Sequence, residues 1–360
     1  MLSSLGMGIL LVVIGGFMEG TYAVAMKYTP GWKWEHIWGA ASLTSLLIVV
    51  WPVALLSVPG LGQVFAAVGL RSLVAPALFG LGWGAGSIFF GLGVDAVGIA
   101  VGVSVIMGLI AVIGSALPLL LYHPEKFGEP SGQLMVAALA VMVVGIVLCG
   151  VSGYLREKAL TGVTLAAAAS GSTAVRAVQE VDPARQPSFR MGLIFCVLSG
   201  VLCPLANFAL IEGDNLRAVA IQHGASALWA INAVWMLVLT VGYGLSVLYC
   251  VYLMARRKNF ADLAHAHTGK YWLLAGIMGA LWAGGIVLYG LGVAYMGRFG
   301  AYAGWPLLLI AAISASNVSG VIIGEWKGTG GKPLAVMVAA LGVLLIAAVI
   351  LGFANRMMTT

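Results

Sequence analysis

The sequence predicts an all-α polytopic membrane protein whose ten transmembrane helices form two inverted five-helix repeats. Three observations predict it: an apolar composition, ten apolar runs of membrane-spanning length, and a second half that echoes the first. Of the 360 residues, 61% are hydrophobic and 8% charged, against roughly 45–50% apolar and about 25% charged in a soluble domain. Mean hydropathy is +1.05. Glycine is abundant, at 50 residues, and small residues let helix backbones approach closely in lipid, where no hydrophobic force draws helices together.

Spanning about 30 Å of hydrocarbon takes roughly 20 apolar residues. Such runs fall at 5–26, 37–57, 73–94, 98–121, 134–154, 191–211, 226–252, 271–293, 299–323 and 334–353. Backbone polar groups in lipid must be satisfied within the segment, and these lengths and compositions suit helices rather than a barrel. The first run has no Lys or Arg before Lys27, so it reads as a retained helix and not a cleaved leader.

The repeat is visible residue by residue. Met135-Val136-Ala137-Ala138-Leu139 recurs as Met337-Val338-Ala339-Ala340-Leu341, Gly91-Leu92-Gly93-Val94 as Gly290-Leu291-Gly292-Val293, and Met7-Gly8-Ile9 as Met191-Gly192-Leu193. Residues 1–155 form the first repeat, 156–189 a cytoplasmic linker and 190–360 the second repeat. Five crossings per copy leave the second copy upside down, a construction by which transporters expose one site to either side in turn.

Loop charge sets the orientation. Thirteen of the 18 basic residues, among them Lys27, Lys33, Arg156, Arg176, Arg185, Arg257, Lys258 and Lys327, fall in one set of loops. Only Arg71, Lys126, Arg217, Arg298 and Arg356 fall on the other side. The positive-inside rule therefore puts both termini outside the cytoplasm. The net charge of +6 is spread over loops rather than one face, so no nucleic-acid partner is implied. The four cysteines sit in apolar stretches and read as small buried hydrophobes. His265-Ala266-His267 lies in a basic loop without further ligand types and reads as solvated, not as a metal site.

Aligning the halves pairs Trp83 with Trp282, Gly86 with Gly285 and Phe90 with Tyr289. In each helix the two aromatics are seven apart and share a face. Either they pack into neighbouring helices over close-crossing glycines, or they wall a midplane cavity. Glycine and proline at Gly15, Gly16 and Gly20, at Gly200 and Pro204, and at Gly304 and Pro306 mark weak points of the kind that flank binding sites in transporters.

Glu19 is the outstanding polar residue. A carboxylate inside a span is costly and by default functional; a group able to take up and release a proton resolves that cost. The structural alternative is a permanently neutral or Lys27-paired side chain. Tyr22 shares its face. Elsewhere inside the spans stand Asn207, Tyr289, Tyr302, Trp305 and Asn317, together with a stripe of Gln222, Ser226 and Trp229 at helical spacing. No Lys or Arg is central in any helix, which fits a neutral solute. Tryptophan, tyrosine and asparagine suit a sugar, with ring faces over its C–H groups and amides on its hydroxyls.

Several motifs together carry a family resemblance: Met7-Gly8-Ile9, Trp32-Lys33-Trp34-Glu35, Leu78-Phe79-Gly80 followed by Trp83-Gly84 and Gly91-Leu92, and Gly324-Glu325-Trp326. They resemble the L-rhamnose–proton symporter family within the drug/metabolite transporter superfamily, over nearly the whole chain. Glu19 and the longer middle loop depart from the family pattern. The resemblance implies a ten-helix drug/metabolite transporter fold and proton-coupled uptake of a deoxy-sugar across a bacterial inner membrane. It also implies that Tyr302 and Trp305 touch substrate.

The expected assignment is therefore a secondary transporter and not an enzyme. Glu19 would carry the proton, and Tyr22, Asn207, Trp282, Tyr289, Tyr302, Trp305 and Asn317 would hold the sugar between helices one, three, six, eight and nine. No cofactor, metal or obligate protein partner is implied. A metabolite exporter or uncoupled facilitator is the alternative within the superfamily. A polytopic membrane enzyme fits less well, for want of a His/Asp/Glu cluster at a membrane face.

Overall fold

The computed structural model describes residues 4–97, 99–169, 189–264, 268–297 and 300–359, all helix, turn or coil with no strand among them. Ten helices are long and apolar enough to cross a membrane. They are α1 (Ser4–Tyr28), α2 (Trp34–Ser57), α3 (Leu70–Val94), α4 (Gly102–Tyr122), α5 (Pro130–Leu160), α6 (Phe189–Glu212), α7 (Ile231–Arg257), α8 (Thr268–Met296), α9 (Gly300–Ile322) and α10 (Gly331–Met358).

Three spans are irregular. The last turns of α1, Tyr22–Tyr28, tighten into a 3₁₀-helix. In α2, Ser45–Val50 widens into a π-helix, a feature common at functional sites. In α6 the expected weak point is real: the α-helix ends at Leu202 and restarts at Leu205, across Pro204, which cannot donate a backbone hydrogen bond.

Other expectations need correction. Helix α1 runs unbroken through Gly15, Gly16 and Gly20, and Pro306 sits inside a continuous α9. The expected linker begins as helix, because α5 continues to Ala169, where alanines are the best helix formers. Residues 170–188, which include Arg176 and Arg185, lie outside the described residues, as do Gly98, His265, His267 and Arg298. Helix α7 starts at Ile231, not near 226. Gly224 turns the chain with φ +97°, so Gln222, Ser226 and Trp229 form no helical stripe, and Trp229 is exposed. The loop before it holds a short helix, Asp214–Gln222, packed on another at Leu61–Val68.

The main pairings are α1 with α8 and α9, α6 with α3 and α4, α2 with α7 and α8, α3 with α7, and α5 with α10. Exchanging each helix for the one five places along maps these pairings onto one another. The closest approaches repeat too. A Cβ on Gly15 would lie 2.6 Å from the Gly285 carbonyl oxygen, and one on Gly285 would lie 2.7 Å from that of Gly15 and 3.0 Å from Glu19 Cγ. Gly8 and Gly292 face each other likewise at 2.7 Å both ways, and a Cβ on Gly292 also meets Val12. On the α3/α6 pair, Gly86 meets the Cys203 amide at 2.8 Å and Gly93 the Cys196 sulfur at 2.8 Å. In the aligned halves Glu19 corresponds to Cys203 and Val12 to Cys196, so the two crossings use the same seats.

Two ion-paired groups stand at the end where α1 finishes and α2 begins. Glu325 pairs with both Lys27 and Arg156, and the Arg156 guanidinium lies 5.5 Å from the Trp326 ring centre. Buried Glu35 accepts from Arg257 at 2.7 Å and from Asn259 at 2.8 Å. At the opposite end Ser4 Oγ donates to the Tyr295 carbonyl at 2.9 Å, and Asn355 donates to that of Met296 at 3.3 Å. Both chain ends thus lie away from the basic loops.

Gly285→Val is expected to force α1 and α8 apart and lower stability by about 1–3 kcal/mol, the usual cost of overpacking. Thermal unfolding in detergent checks this; Gly342→Val, where nothing lies within 4 Å, should leave the melting temperature unchanged.

Candidate functional site

A cavity of about 180 Å³ lies among α1, α2, α3, α4, α6, α7, α8 and α9. One wall is aromatic. Trp83 and Trp282 stack with ring centres 5.1 Å apart and planes at 28°. Tyr243 stands edge-on to both at 5.3 Å. A second wall carries hydroxyls. The π-helix of α2 presents Ser45, which donates to the Ala41 carbonyl at 2.8 Å. Ser87 donates to the Gly84 carbonyl at 2.8 Å and sits 3.3 Å from Ser246. Ser45 and Ser87 are held by carbonyls of their own helices, leaving lone pairs for a solute.

Glu19 comes from the third side, fixed by the seat of its Cγ on Gly285. Its Oε1 is buried and has no hydrogen-bond partner. No Lys or Arg lines this cavity, and Lys27, the expected alternative partner, is bound to Glu325 instead. The other lining atom in this state is Trp235 Nε1, also buried and unpartnered. Buried polar atoms ordinarily carry at least one hydrogen bond, so an unpaired acceptor and an unpaired donor around one cavity mark where a polar solute would bind.

The expected site residues separate into three groups. Glu19, Tyr22, Trp282 and Trp305 line the cavity. Asn207 and Tyr289 do not. Tyr289 Oη donates to Asn207 Oδ1 at 2.6 Å, while Asn207 Nδ2 donates to the carbonyls of Gly114 at 2.8 Å and Ala301 at 3.3 Å. Both residues are fully buried with their hydrogen bonds made. Tyr302 lines a second cavity of about 780 Å³ at the end near the chain termini, with Tyr122, His123, Glu212, Asp214 and Arg217. Tyr302 and Trp305, both expected to touch substrate, therefore serve different cavities, since three residues advance the helix by most of a turn. Asn317 lines neither; its amide donates to the Ile313 carbonyl one turn back at 2.9 Å.

Sequence reading did not find Trp235, Tyr243 and the serines, nor that α2, α4 and α7 contribute walls. Serines three apart at Ser42 and Ser45, or an isolated Trp in α7, carry no signature in an apolar run. Three residues apart on a helix, Ser42 and Ser45 share a face and line the same cavity.

Ten helices around a largely apolar chamber lined by aromatic rings and a few serine hydroxyls, with no Lys or Arg among the described lining residues, have the form of a polytopic secondary transporter. Residues 1–357 match the L-rhamnose-proton symport protein (RhaT) family, and the chain belongs to that family. It is 24% identical over 353 residues to an L-rhamnose-proton symporter of Yersinia pestis (strain Pestoides F), which covers 96% of this chain and 97% of that one. The L-rhamnose-proton symporter of Yersinia pseudotuberculosis serotype O:1b (strain IP 31758) gives the same figures. The family read from the motifs is thus the family to which the chain belongs.

Cys203 lines the cavity whereas Cys196 is fully buried against Gly93. A small membrane-permeable maleimide is expected to label Cys203 ahead of Cys196, and a bound solute should slow that labelling; peptide mapping of the labelled protein reads both.

Proposed function

We propose that this protein carries a neutral monosaccharide of the L-rhamnose class into the cell together with a proton, by alternating access. The observation that carries the reading is the unpaired Glu19 carboxyl facing an aromatic, hydroxyl-lined cavity. Membership of a proton-symporter family supports it. Trp83, Trp282 and Tyr243 cover the apolar faces of the sugar, including its methyl group. Ser45, Ser87, Ser246 and Tyr22 bond its hydroxyls, and Trp305 closes one side.

Glu19 is the proton carrier. A charged carboxylate with no cationic partner is expensive to enclose. Protonation removes that charge and lets the sugar-filled, dry cavity close and reopen on the other side; once sugar and proton have left, water takes the solute's place beside the carboxylate and the empty site returns. An uncoupled facilitator would have no use for an unpaired carboxyl at this place.

The protein acts in the bacterial inner membrane with both termini outside the cytoplasm. Support comes from the clustering of Lys27, Arg156 and Arg257 at the end opposite the termini. Residues 1–155 and 190–360 are inverted repeats joined by 156–189, a reading supported by the matched helix pairings and glycine seats. The partners are the sugar, the proton and the bilayer, with no cofactor, metal, nucleic acid or obligate protein partner.

Adding L-rhamnose to a lightly buffered suspension of de-energised cells expressing the protein is expected to make the medium alkaline. Glu19→Gln should abolish that signal and uphill accumulation while retaining exchange of labelled for unlabelled sugar. Accumulation with a persisting pH change in the variant would remove Glu19 from the role, and no pH change with the parent protein would favour a facilitator. Trp282→Ala should raise KM about tenfold, since an aromatic contact contributes about 0.5–1.5 kcal/mol and 1.4 kcal/mol is a factor of ten.

A further inference from the structure

The two cavities meet at a layer one residue thick. On α6 Ala206 lines the central cavity and Leu210 the second; on α8 Ile286 lines the central cavity and Gly290 the second. On α7 and α9 the order is reversed along the chain. Ile231 and Ala301 line the second cavity, and Trp235 and Trp305, one turn on, line the central one. Asn207 and Tyr289 stand between these positions, and Trp235 and Trp305 complete the layer from the central-cavity side, one residue from each helix of the quartet. The Tyr289 ring centre is 6.3 Å from that of Trp235 and 5.7 Å from that of Trp305. The hydrogen bond from Tyr289 to Asn207 closes the layer.

Each aromatic of this layer rests on a glycine. A Cβ on Gly290 would lie 2.7 Å from Trp235 Nε1, and one on Gly304 would lie 3.4 Å from the Tyr289 ring. A Cβ on Gly114 would collide with the Trp305 indole. The layer is therefore closed at van der Waals contact. It is also incompletely satisfied, since Trp235 is 2% exposed and its Nε1 has no partner.

We propose that Asn207, Trp235, Tyr289 and Trp305 are the gate between the central cavity and the second cavity, and that the second cavity is the vestibule through which solute passes on the side of the chain termini. This rests on the transporter reading above. The Tyr289–Asn207 hydrogen bond latches the gate. Opening it parts Tyr289 from Asn207 and frees Trp235 from the Gly290 seat, so that its Nε1 meets water or a sugar hydroxyl. The four are positioning residues that act on access. That accounts for the burial of Asn207 and Tyr289 away from the cavity in the closed arrangement.

The test is side-specific thiol labelling in a background with Cys149, Cys196, Cys203 and Cys250 replaced. Ser87→Cys reports the central cavity, Ala227→Cys the second cavity, and the probe is a membrane-impermeant methanethiosulfonate ammonium reagent. It is applied to intact cells and to inside-out vesicles. Ala227→Cys is expected to label from the chain-terminus side whatever the latch. Tyr289→Phe, which keeps the ring and removes only the hydroxyl, should speed labelling of Ser87→Cys from that side about fivefold, the population shift of one lost hydrogen bond. Asn207→Ala should do the same.

Unchanged labelling in both variants, with thermal unfolding showing them folded, overturns the gate. Equal acceleration from both sides also overturns it, because that is general loosening. An Ala227→Cys that never labels from the chain-terminus side overturns the vestibule. The assay uses neither sugar nor proton gradient, so its failure is separate from failure of the rhamnose reading, which uptake reports.

Discussion

Everything in this molecule is arranged around the close approach of α1 and α8. Lipid supplies no hydrophobic force between helices, so they associate by contact, and contact is best where side chains are absent. Gly8 and Gly15 meet Gly292 and Gly285 with each Cα lying against the partner's carbonyl. This fixes both register and separation. Because the seat at Gly285 admits only backbone, the neighbouring Glu19 is laid flat over it and its carboxyl is aimed sideways into the cavity. The same geometry on α3 and α6 puts Cys203 over Gly86. The two matched crossings thus carry an ionisable carboxyl at one and a thiol at the other.

Hydrogen-bond satisfaction then separates scaffold from chemistry. The serines of the cavity return their protons to carbonyls of nearby backbone, and Asn207 spends both amide protons on Gly114 and Ala301. At the basic end Glu35 is enclosed with its bonds made to Arg257 and Asn259. It is a buried carboxylate like Glu19, but one that builds structure. The contrast is informative because the residue type is the same. What sets Glu19 apart, and carries its proposed role, is an open acceptor beside an open space.

The spans, their number and the one true break at Pro204 were legible in the sequence, because hydropathy and a missing backbone donor act locally. Glu19 and Trp282 were legible as well, one from its cost in lipid and the other from its match to Trp83. What stayed hidden depends on rotation and on neighbours. Whether Tyr302 faces the same chamber as Trp305 is decided by about a hundred degrees per residue of helix accumulated over three positions, and by where α4 and α8 stand. Tyr243 and Trp235 belong to the cavity only because α7 crosses α3, and nothing along α7 announces that crossing. The π-helix in α2 is likewise invisible in Ser45-Leu46-Leu47-Ile48-Val49-Val50, which reads as an ordinary apolar turn. The length of α5 was missed for the opposite reason: alanines that read as a linker by their company continue a helix by their own propensity.

On the proposed function, helix α8 is the element through which proton and sugar would share one movement. Trp282, Gly285 and Tyr289 occupy successive turns on related faces, so a single rigid element carries the sugar wall, the seat of Glu19 and the latch to Asn207. A displacement of α8 against α1 that relaxes the carboxyl shifts Trp282 and Tyr289 in the same motion, with no wire of side chains needed between them. A charged and a neutral Glu19 differ most in what they demand of their surroundings: the anion draws donors or water toward Gly285, and the neutral acid tolerates a dry, closed crossing. Ligand and proton can shift such an equilibrium only by binding one arrangement better than the other. The sugar meets that condition by filling the aromatic chamber, and the proton by removing the charge that the closed chamber cannot hold. Coupling here is the shared preference of two ligands for one position of α8.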